Sequence, residues 1–231
     1  MARLPRLTLP GHPHHVIHRG HNRQPVFIDS ADYTLMHGLL VEQSRIDGVA
    51  VHAYVLMENH LHLLATPAEA DSLARMMQGI GRRYGRHFNA RTQRSGTLWE
   101  GRYRCAPLQA QPYLIAAMVH MDLHPVRAGL VENPADYAWS SHRHYTGRVN
   151  DRLISVHPLF WSLGNTPFAR EQAYAQRVAD GLPTAVQQAL SESALYGWAL
   201  GSEDFLAELQ KATGRRLSRG KPGRPRNPAP N

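Results

Sequence analysis

Alternating and helical patterns of apolar residues divide the first half of the chain into strands and helices. Leu35, Met36, Leu39 and Leu40 recur at helical spacing, whereas the run at 49–57, apolar except for His52, is typical of a buried strand. The predicted elements, in chain order, are a strand at 14–18, a helix at 31–45, strands at 49–57 and 60–66, a helix at 71–88, a strand at 102–108 and a helix at 112–123. This order predicts an α+β, ferredoxin-like split βαβ fold.

The pattern is weaker beyond about residue 150, where only short helices near 168–180, 183–196 and 202–213 are predicted. The last fourteen residues are rich in Pro, Gly and Arg, which is typical of a disordered tail. We therefore expect three parts: a main α+β domain at 1–130, a helical extension at 131–217 and a basic tail at 218–231.

The sequence predicts a soluble protein. No apolar run approaches the roughly 18 to 20 residues that cross a bilayer, and the first residues lack the apolar stretch of a signal peptide. The single cysteine, Cys105, can form neither an internal disulfide nor a thiolate zinc site. We expect a cytoplasmic, nucleoid-associated protein without a membrane partner, either a monomer or a homodimer.

Positive charge is concentrated in two stretches. The chain has 26 Lys and Arg residues against 18 Asp and Glu residues, a net charge of +8. The stretch 211–231 has basic residues and no acidic one, so the rest of the chain is almost neutral. A second cluster in the body is opposed only by Glu100: Arg75, Arg82, Arg83, Arg86, Arg91, Arg94, Arg102 and Arg104. Arginine suits phosphate and stacked bases, so this clustering predicts a polyanionic partner.

Two histidines on a predicted strand are the sharpest chemical feature. His60 and His62 are two positions apart, so their side chains point to the same face of a strand and can approach one divalent metal. The alternative is that the two rings merely line a partly exposed strand. The 15 histidines of the chain make a chance pair of this kind common.

A second histidine pair lies on the predicted helix at 112–123. His120 and His124 share one helical face, and Tyr113 lies two turns earlier on that face. The alternative is a solvent-facing edge, or histidines that stabilise the end of the helix. A helix after the fourth strand packs near the central strands, so His124 can join His60 and His62 as a third ligand. Such a site suits Mg²⁺ or Mn²⁺ and would polarise a phosphodiester for attack, with tyrosine as the natural nucleophile.

Three stretches resemble a known family. These are 57–64 (MENHLHLL), 95–105 (SGTLWEGRYRC) and 124–141 (HPVRAGLVENPADYAWSS). They look like the motifs of the REP-associated tyrosine transposases, relatives of the single-tyrosine HUH transposases of insertion sequences. The resemblance runs over nearly the whole chain, and the order and spacing of the motifs make it specific.

The resemblance implies a metal-dependent enzyme that nicks and joins single-stranded DNA. In that family the HUH histidines, here His60 and His62, hold the metal that activates the scissile phosphate. A tyrosine on the helix attacks, which gives a 5′-phosphotyrosine link and a free 3′-hydroxyl. The DNA is typically a palindromic hairpin with a short guide sequence nearby.

The chain departs from the family at two positions. The family's helix usually ends in a pattern like RYIELNPVRA, whereas residues 119–128 read VHMDLHPVRA. His120 therefore stands at the position of the nucleophilic tyrosine, and His124 stands at the position of an asparagine beside the metal. A histidine at position 124 is an acceptable metal ligand.

Three interpretations of the catalytic group stay open. His120 itself attacks and forms a more labile phosphohistidine. Tyr113 attacks instead, although two helical turns place it about 10.5 Å away along the axis. In the third interpretation strand transfer is lost, and His60, His62, His120 and His124 hold a metal only structurally.

Candidate DNA contacts lie on the predicted helix at 71–88, in the segments after it and in the tail. They are Arg82, Arg83, Arg86, Arg91, Arg102, Arg104, Lys221, Arg224 and Arg226. The tail sequence resembles an AT-hook core, whose extended Arg-Pro segment lies in a narrow minor groove; the alternative is a basic end that only raises non-specific affinity. Phe88, Trp99 and Tyr103 are either base-stacking groups or core residues.

We therefore expect a transposase-like protein that binds hairpin or single-stranded DNA and nicks and joins one strand. The alternative is a catalytically impaired DNA-binding protein, a repressor or a structural binder, because position 120 is a histidine. The arginine cluster and the tail disfavour a metal hydrolase that acts on small phosphoesters.

Overall fold

The computed structural model describes residues 6–217. Its four strands, β1 (His14–Arg19), β2 (Val49–Met57), β3 (His60–Pro67) and β4 (Arg104–Pro107), form one antiparallel sheet in the order β2-β3-β1-β4. This order is that of a split βαβ unit, with one crossover helix between β1 and β2 and another between β3 and β4. The predicted α+β, ferredoxin-like fold is confirmed.

One face of the sheet is covered by the two crossover helices, α1 (Ser30–Ile46) and α2 (Ser72–Arg91). The Asp29 side chain accepts hydrogen bonds from the first backbone N–H groups of α1 and so defines where that helix begins. The apolar stripe of α2 is buried against the sheet: Leu73, Met76, Met77, Ile80, Tyr84 and Phe88. The period of 3.6 residues predicted this stripe correctly.

The other face of the sheet is covered by α3 (Ala110–Asp122), which packs on β2 and β3. The remaining helices are α4 (His124–Arg127), α5 (His142–Tyr145), α6 (Pro158–Trp161), α7 (Pro167–Asp180), α8 (Thr184–Tyr196) and α9 (Glu203–Thr213). Of these, α4, α6, α7 and α8 contact α3. The helices expected near 168–180, 183–196 and 202–213 are present as α7, α8 and α9. The single-turn helices α4, α5 and α6 have too few residues to show a period.

A buried carboxylate ties α3 to two later helices. Asp122, the last residue of α3, is fully buried. Its Oδ2 accepts hydrogen bonds from the Tyr174 hydroxyl at 2.6 Å and from Nδ1 of His142 at 3.0 Å. These contacts, together with a second apolar core, join the chain beyond residue 130 to the sheet.

The predicted division at residue 130 stays a prediction. The predicted basic tail at 218–231 lies outside the described residues. In the part of the chain that the structure describes, every helix is too short or too polar to cross a bilayer.

We expect Tyr174→Phe to lower the free energy of unfolding by about 2 kcal/mol, because a buried carboxylate then loses one of its two hydrogen-bond donors. Chemical denaturation of both proteins measures the change. Tyr196→Phe is the matched control, since the Tyr196 side chain is 60% exposed and its change should be close to neutral. Equal stability of the two variants would show that the Asp122 hydrogen bonds do not hold α7 on α3.

Candidate functional site

Three histidines meet on the sheet face that α3 covers. One side-chain nitrogen from each of His60, His62 and His124 lies within 4.8 Å of the other two. His60 and His62 alternate along β3, so both point to this face, and His124 begins α4 directly after α3. The structure therefore brings together the three residues that the sequence proposed as metal ligands; their role as ligands stays a prediction.

Asn59 sets which nitrogen of His60 faces its neighbours. The side-chain amide of Asn59 donates to the Arg23 carbonyl at 3.2 Å, so its Oδ1 is the acceptor that lies 2.6 Å from Nδ1 of His60. Nδ1 must then carry the proton, and a neutral imidazole has only one. The lone pair of His60 is therefore on Nε2, which lies 3.0 Å from Nε2 of His124.

His15 plays the same part for His62. Its Nε2 lies 2.8 Å from Nδ1 of His62, and both rings are buried. In the β1–β3 pairing, His15 is opposite Leu64 and Ile17 is opposite His62, so His15 and His62 are diagonal neighbours on one sheet face. When Nδ1 of His62 donates to His15, the lone pair of His62 is on Nε2. Metal-bound histidines are usually oriented by such an outer hydrogen bond.

Burial keeps these imidazoles uncharged. It is the main cause that lowers the pKa of His60 to about 3, and nearby His124 and Arg19 lower it further. Burial likewise lowers the pKa of His124 to about 4, that of His15 to about 4 and that of His62 well below its ordinary value. At neutral pH all four rings are therefore neutral, which is the state that binds a metal.

The residues present fit a divalent cation. Each of the three residues offers a neutral imidazole nitrogen, which is the form that binds a metal. The Nε2 atoms of His60 and His124 are 3.0 Å apart. Imidazole nitrogens suit transition metals, whereas Mg²⁺ prefers oxygen.

His120 lies beside these nitrogens. Its ring centroid is 6.0 Å from that of His15 and 6.1 Å from that of His124. Arg127 donates to the His120 carbonyl at 2.5 Å. The His120 side chain is 5% exposed, and burial is the main cause that lowers the pKa of His120 to about 2.

Tyr113 lies two turns earlier, in the first turn of α3. It is half-buried and packs against the second apolar core. Within residues 6–217 no ring contact joins it to His15, His60, His62, His120 or His124. The structure thus brings His120, and not Tyr113, next to the three histidines.

Two arginines near the site were not among the predicted contacts. Arg19 and Arg127 both lie close enough to lower the pKa of neighbouring histidines, Arg19 for His60 and Arg127 for His120 and His124. The HPVRA stretch put Arg127 within one turn of His124, so helical spacing is a signal that would have found it. His15 was also missing from the predicted site residues. The signal available for it was the alternation of side chains along a strand, which puts His15 on the same face of β1 as Ile17.

The predicted arginine contacts lie elsewhere. Arg82 and Arg86 are exposed on α2, across the sheet from the histidines, and no ion pair involves them in the described part of the chain. Three others already contact protein groups: Arg83 pairs with Glu42, Arg91 with Asp29 and Asp32, and Arg104 donates to the Leu195 carbonyl. Arg102 is exposed two residues before β4, and Lys221, Arg224 and Arg226 lie outside the described residues.

The three aromatic candidates for base stacking are core residues. Phe88 is 2% exposed, and Trp99 and Tyr103 are each 6% exposed. The Trp99 ring stacks on His18 with centroids 4.0 Å apart. Burial on the α2 face of the sheet therefore explains all three.

Comparisons with known proteins agree with this architecture. Residues 9–118 match the family model described as IS200-like transposase. A solved REP-associated tyrosine transposase bound to a REP hairpin is 17% identical, with a TM-score of 0.54 over 64% of this chain and 87% of that chain. A putative transposase from Deinococcus radiodurans R1 is 18% identical over 56% of this chain and 95% of its own, with a TM-score of 0.37. No curated protein sequence matches significantly.

The family model spans β1 to β3, α2, β4 and most of α3, and therefore includes His15, His60 and His62. Residues 9–118 are therefore similar to the IS200-like transposase family, and the fold is similar to that of the solved REP-associated tyrosine transposase.

Proposed function

We propose that this protein binds hairpin or single-stranded DNA and nicks and rejoins one strand at the histidine centre, defined as His15, His60, His62, His120 and His124. The observation that carries the proposal is the convergence of three neutral imidazoles, with the lone pair of His60 directed by Asn59. The bound REP hairpin of the similar solved transposase supports DNA as the partner.

His60, His62 and His124 would hold a divalent cation. When bound, the cation supplies Lewis-acid polarisation of the scissile phosphate. Three imidazole ligands favour Mn²⁺ over Mg²⁺, because Mg²⁺ retains oxygen ligands. All of these residues come from one chain, so the proposed centre needs no second copy.

The attacking group is the imidazole of His120, which lies inside the centre. A nitrogen of His120 forms a bond to phosphorus while the bond from phosphorus to the 3′-oxygen breaks. The 3′-oxygen takes a proton from water and leaves as a hydroxyl, the other ring nitrogen of His120 gives its proton to solvent, and the 5′-phosphate stays on the histidine. Attack by a 3′-hydroxyl on this phosphohistidine reverses the step and joins the strands. The Arg127 guanidinium holds the His120 backbone and places positive charge beside the phosphate.

A specific observation favours a second candidate function, DNA binding without strand transfer. His120 is 5% exposed and its pKa is lowered to about 2, so its nitrogen is a weak base in a closed position. Tyr113 lies two turns away. In this case the centre holds DNA without breaking it, as a repressor or a structural binder.

A covalent-adduct assay distinguishes these functions. The protein is incubated with labelled single-stranded hairpin DNA and Mn²⁺, then denatured and separated by electrophoresis. We expect a slow protein–DNA band that is acid-labile, survives in Tyr113→Phe and disappears in His120→Ala, because a phosphorus–nitrogen bond hydrolyses in acid. An acid-stable band that disappears only in Tyr113→Phe would assign attack to the tyrosine. Tight binding of the hairpin with no band in the wild type would favour the non-catalytic binder.

Metal binding is tested without DNA, by calorimetric titration with Mn²⁺. We expect His60→Ala to abolish binding, and His15→Phe to weaken it about tenfold because His62 loses the acceptor that orients it. His15→Gln should recover most of the affinity, since its Oε1 can accept the same hydrogen bond.

The control is His87→Ala, an exposed histidine of α2 on the other side of the sheet, which should bind Mn²⁺ like the wild type. Circular dichroism confirms that each variant is folded. If His60→Ala bound Mn²⁺ as tightly as His87→Ala, the three histidines would not form the metal site.

A further inference from the structure

A cavity of about 790 Å³ lies beside β2, the edge strand of the sheet, and none of the histidines of the centre lines it. Its walls come from α1, from Tyr54 of β2 and from the segment 138–152. We call it the α1 cavity. A cavity of this size can hold a small ligand. Its large apolar lining residues are Val41, Ile46, Tyr54, Trp139 and Val149.

A buried carboxylate holds the walls of the α1 cavity together. Oδ2 of Asp151 accepts from the Tyr54 hydroxyl at 2.7 Å, and Oδ1 accepts from the Leu153 backbone N–H at 2.9 Å. Burial raises the pKa of Asp151, but hydrogen bonds from His37, Leu153 and Tyr54 lower it by more, so the group is ionised at neutral pH. Nε2 of His37, 2.9 Å from Oδ1, therefore donates to it. One carboxylate thus joins α1, β2 and the segment 138–152 around a cavity that is formed before any ligand enters.

A glycine inside α1 leaves part of the α1 cavity open. Gly38 lines the cavity, and a Cβ added at this position would meet no atom within 4 Å outside the local helix backbone. Glycine is less favourable than alanine inside a helix. Since no close neighbour excludes a side chain here, the space above Gly38 is available to a ligand.

Both carboxylates in the lining of the α1 cavity already have partners. Oε2 of Glu42 lies 2.8 Å from Nη2 of Arg83, an α2 residue that does not line the cavity. Asp151 accepts from the three donors described above. Neither carboxylate is therefore left to neutralise a further cation.

Three guanidinium groups line the same cavity, those of Arg45, Arg143 and Arg152. Within residues 6–217 none of them forms an ion pair. Nε of Arg143 donates to the Ala135 carbonyl at 2.9 Å, which fixes that side chain without neutralising it. Three cations without a carboxylate partner give the rim a positive potential.

Arg45 and Arg152 border a second cavity as well, one of about 570 Å³ at the turn between α1 and β2. Both side chains are exposed, so an anionic group between them can receive paired hydrogen bonds from either guanidinium. Beside them, Ile46 is 66% exposed and Val149 is 49% exposed. These apolar side chains favour a ligand that covers them. The combination is that of a site for a molecule with an apolar body and one anionic group.

We propose that the α1 cavity binds a small organic anion. Its apolar body contacts Ile46, Trp139 and Val149, and its carboxylate, sulfonate or phosphate group lies between Arg45 and Arg152. A nucleic acid strand fits less well, because its charge repeats along the backbone whereas this cavity is mostly apolar and carries its positive charge at the rim. The site is separate from the histidine centre and does not rest on the proposed function.

The test uses two fluorescent dyes with the full-length protein at neutral pH, without DNA or added metal. Anilinonaphthalene sulfonate has an aromatic body and one sulfonate, and its emission rises when it leaves water. Phenylnaphthylamine has the same aromatic body and no charge. Titration of each dye gives its affinity, and the pair separates the contribution of the anionic group from that of the apolar body.

The charge variant is Arg45→Gln with Arg152→Gln. Its control is Arg177→Gln with Lys211→Gln, two exposed basic residues of α7 and α9 with the same change in net charge. We expect the charge variant to bind the sulfonate dye about tenfold more weakly than the control, and to bind the uncharged dye with the same affinity.

The cavity variant is Gly38→Leu, and its matched control is Gly38→Ala. We expect Gly38→Leu to bind both dyes about tenfold more weakly than the control, because the leucine side chain occupies the space of the apolar body. Both variants should melt at or above the wild-type temperature, since each replaces a helical glycine. Thermal denaturation therefore shows that lost binding does not come from unfolding.

Equal affinity of the charge variant and its control for the sulfonate dye would overturn the anion site. Gly38→Leu that binds both dyes like Gly38→Ala would overturn the cavity as their location. Displacement of the dye from the wild type by unlabelled oligothymidylate would also overturn the proposal, because the cavity would then bind a nucleic acid strand. None of these results would refute the function proposed for the histidine centre.

Discussion

The burial of α3 against the sheet is the constraint on which the histidine centre depends. His60 and His62 are fixed on β3 by strand alternation, but His124 reaches them only because α3 lies across the same face and ends there. The apolar side of α3 and the buried Asp122 hydrogen bonds hold that helix in place.

The centre illustrates how a protein keeps several histidines together without charge repulsion. Burial lowers each pKa, so the rings are neutral, and a neutral ring has one donor and one acceptor nitrogen. Asn59 uses the donor nitrogen of His60, which leaves the acceptor nitrogen of that ring facing Nε2 of His124. His15 lies within hydrogen-bond distance of Nδ1 of His62.

The arginine cluster that stands out in the sequence is not the one that lies beside the histidine centre. The arginines of α2 lie across the sheet from the histidines, and several of them are engaged in ion pairs. Arg19 and Arg127 place charge on the sheet face that holds the histidines. DNA proposed to reach the histidines would follow that face, because the field of both guanidinium groups adds up along it.

The sequence by itself determined the elements, their order and the histidine pairs. Apolar periodicity depends on residues a few positions apart, so the strands, α1 to α3 and the spacing of His60 with His62 could be predicted from local patterns. Only the tertiary structure decided which side chains meet across longer separations. His15 contacts His62 across 47 positions, and Arg91 pairs with Asp32 across 59. Arg6 and Arg215 meet across 209 positions. Such contacts depend on how the sheet and helices pack, and no period in the sequence encodes them.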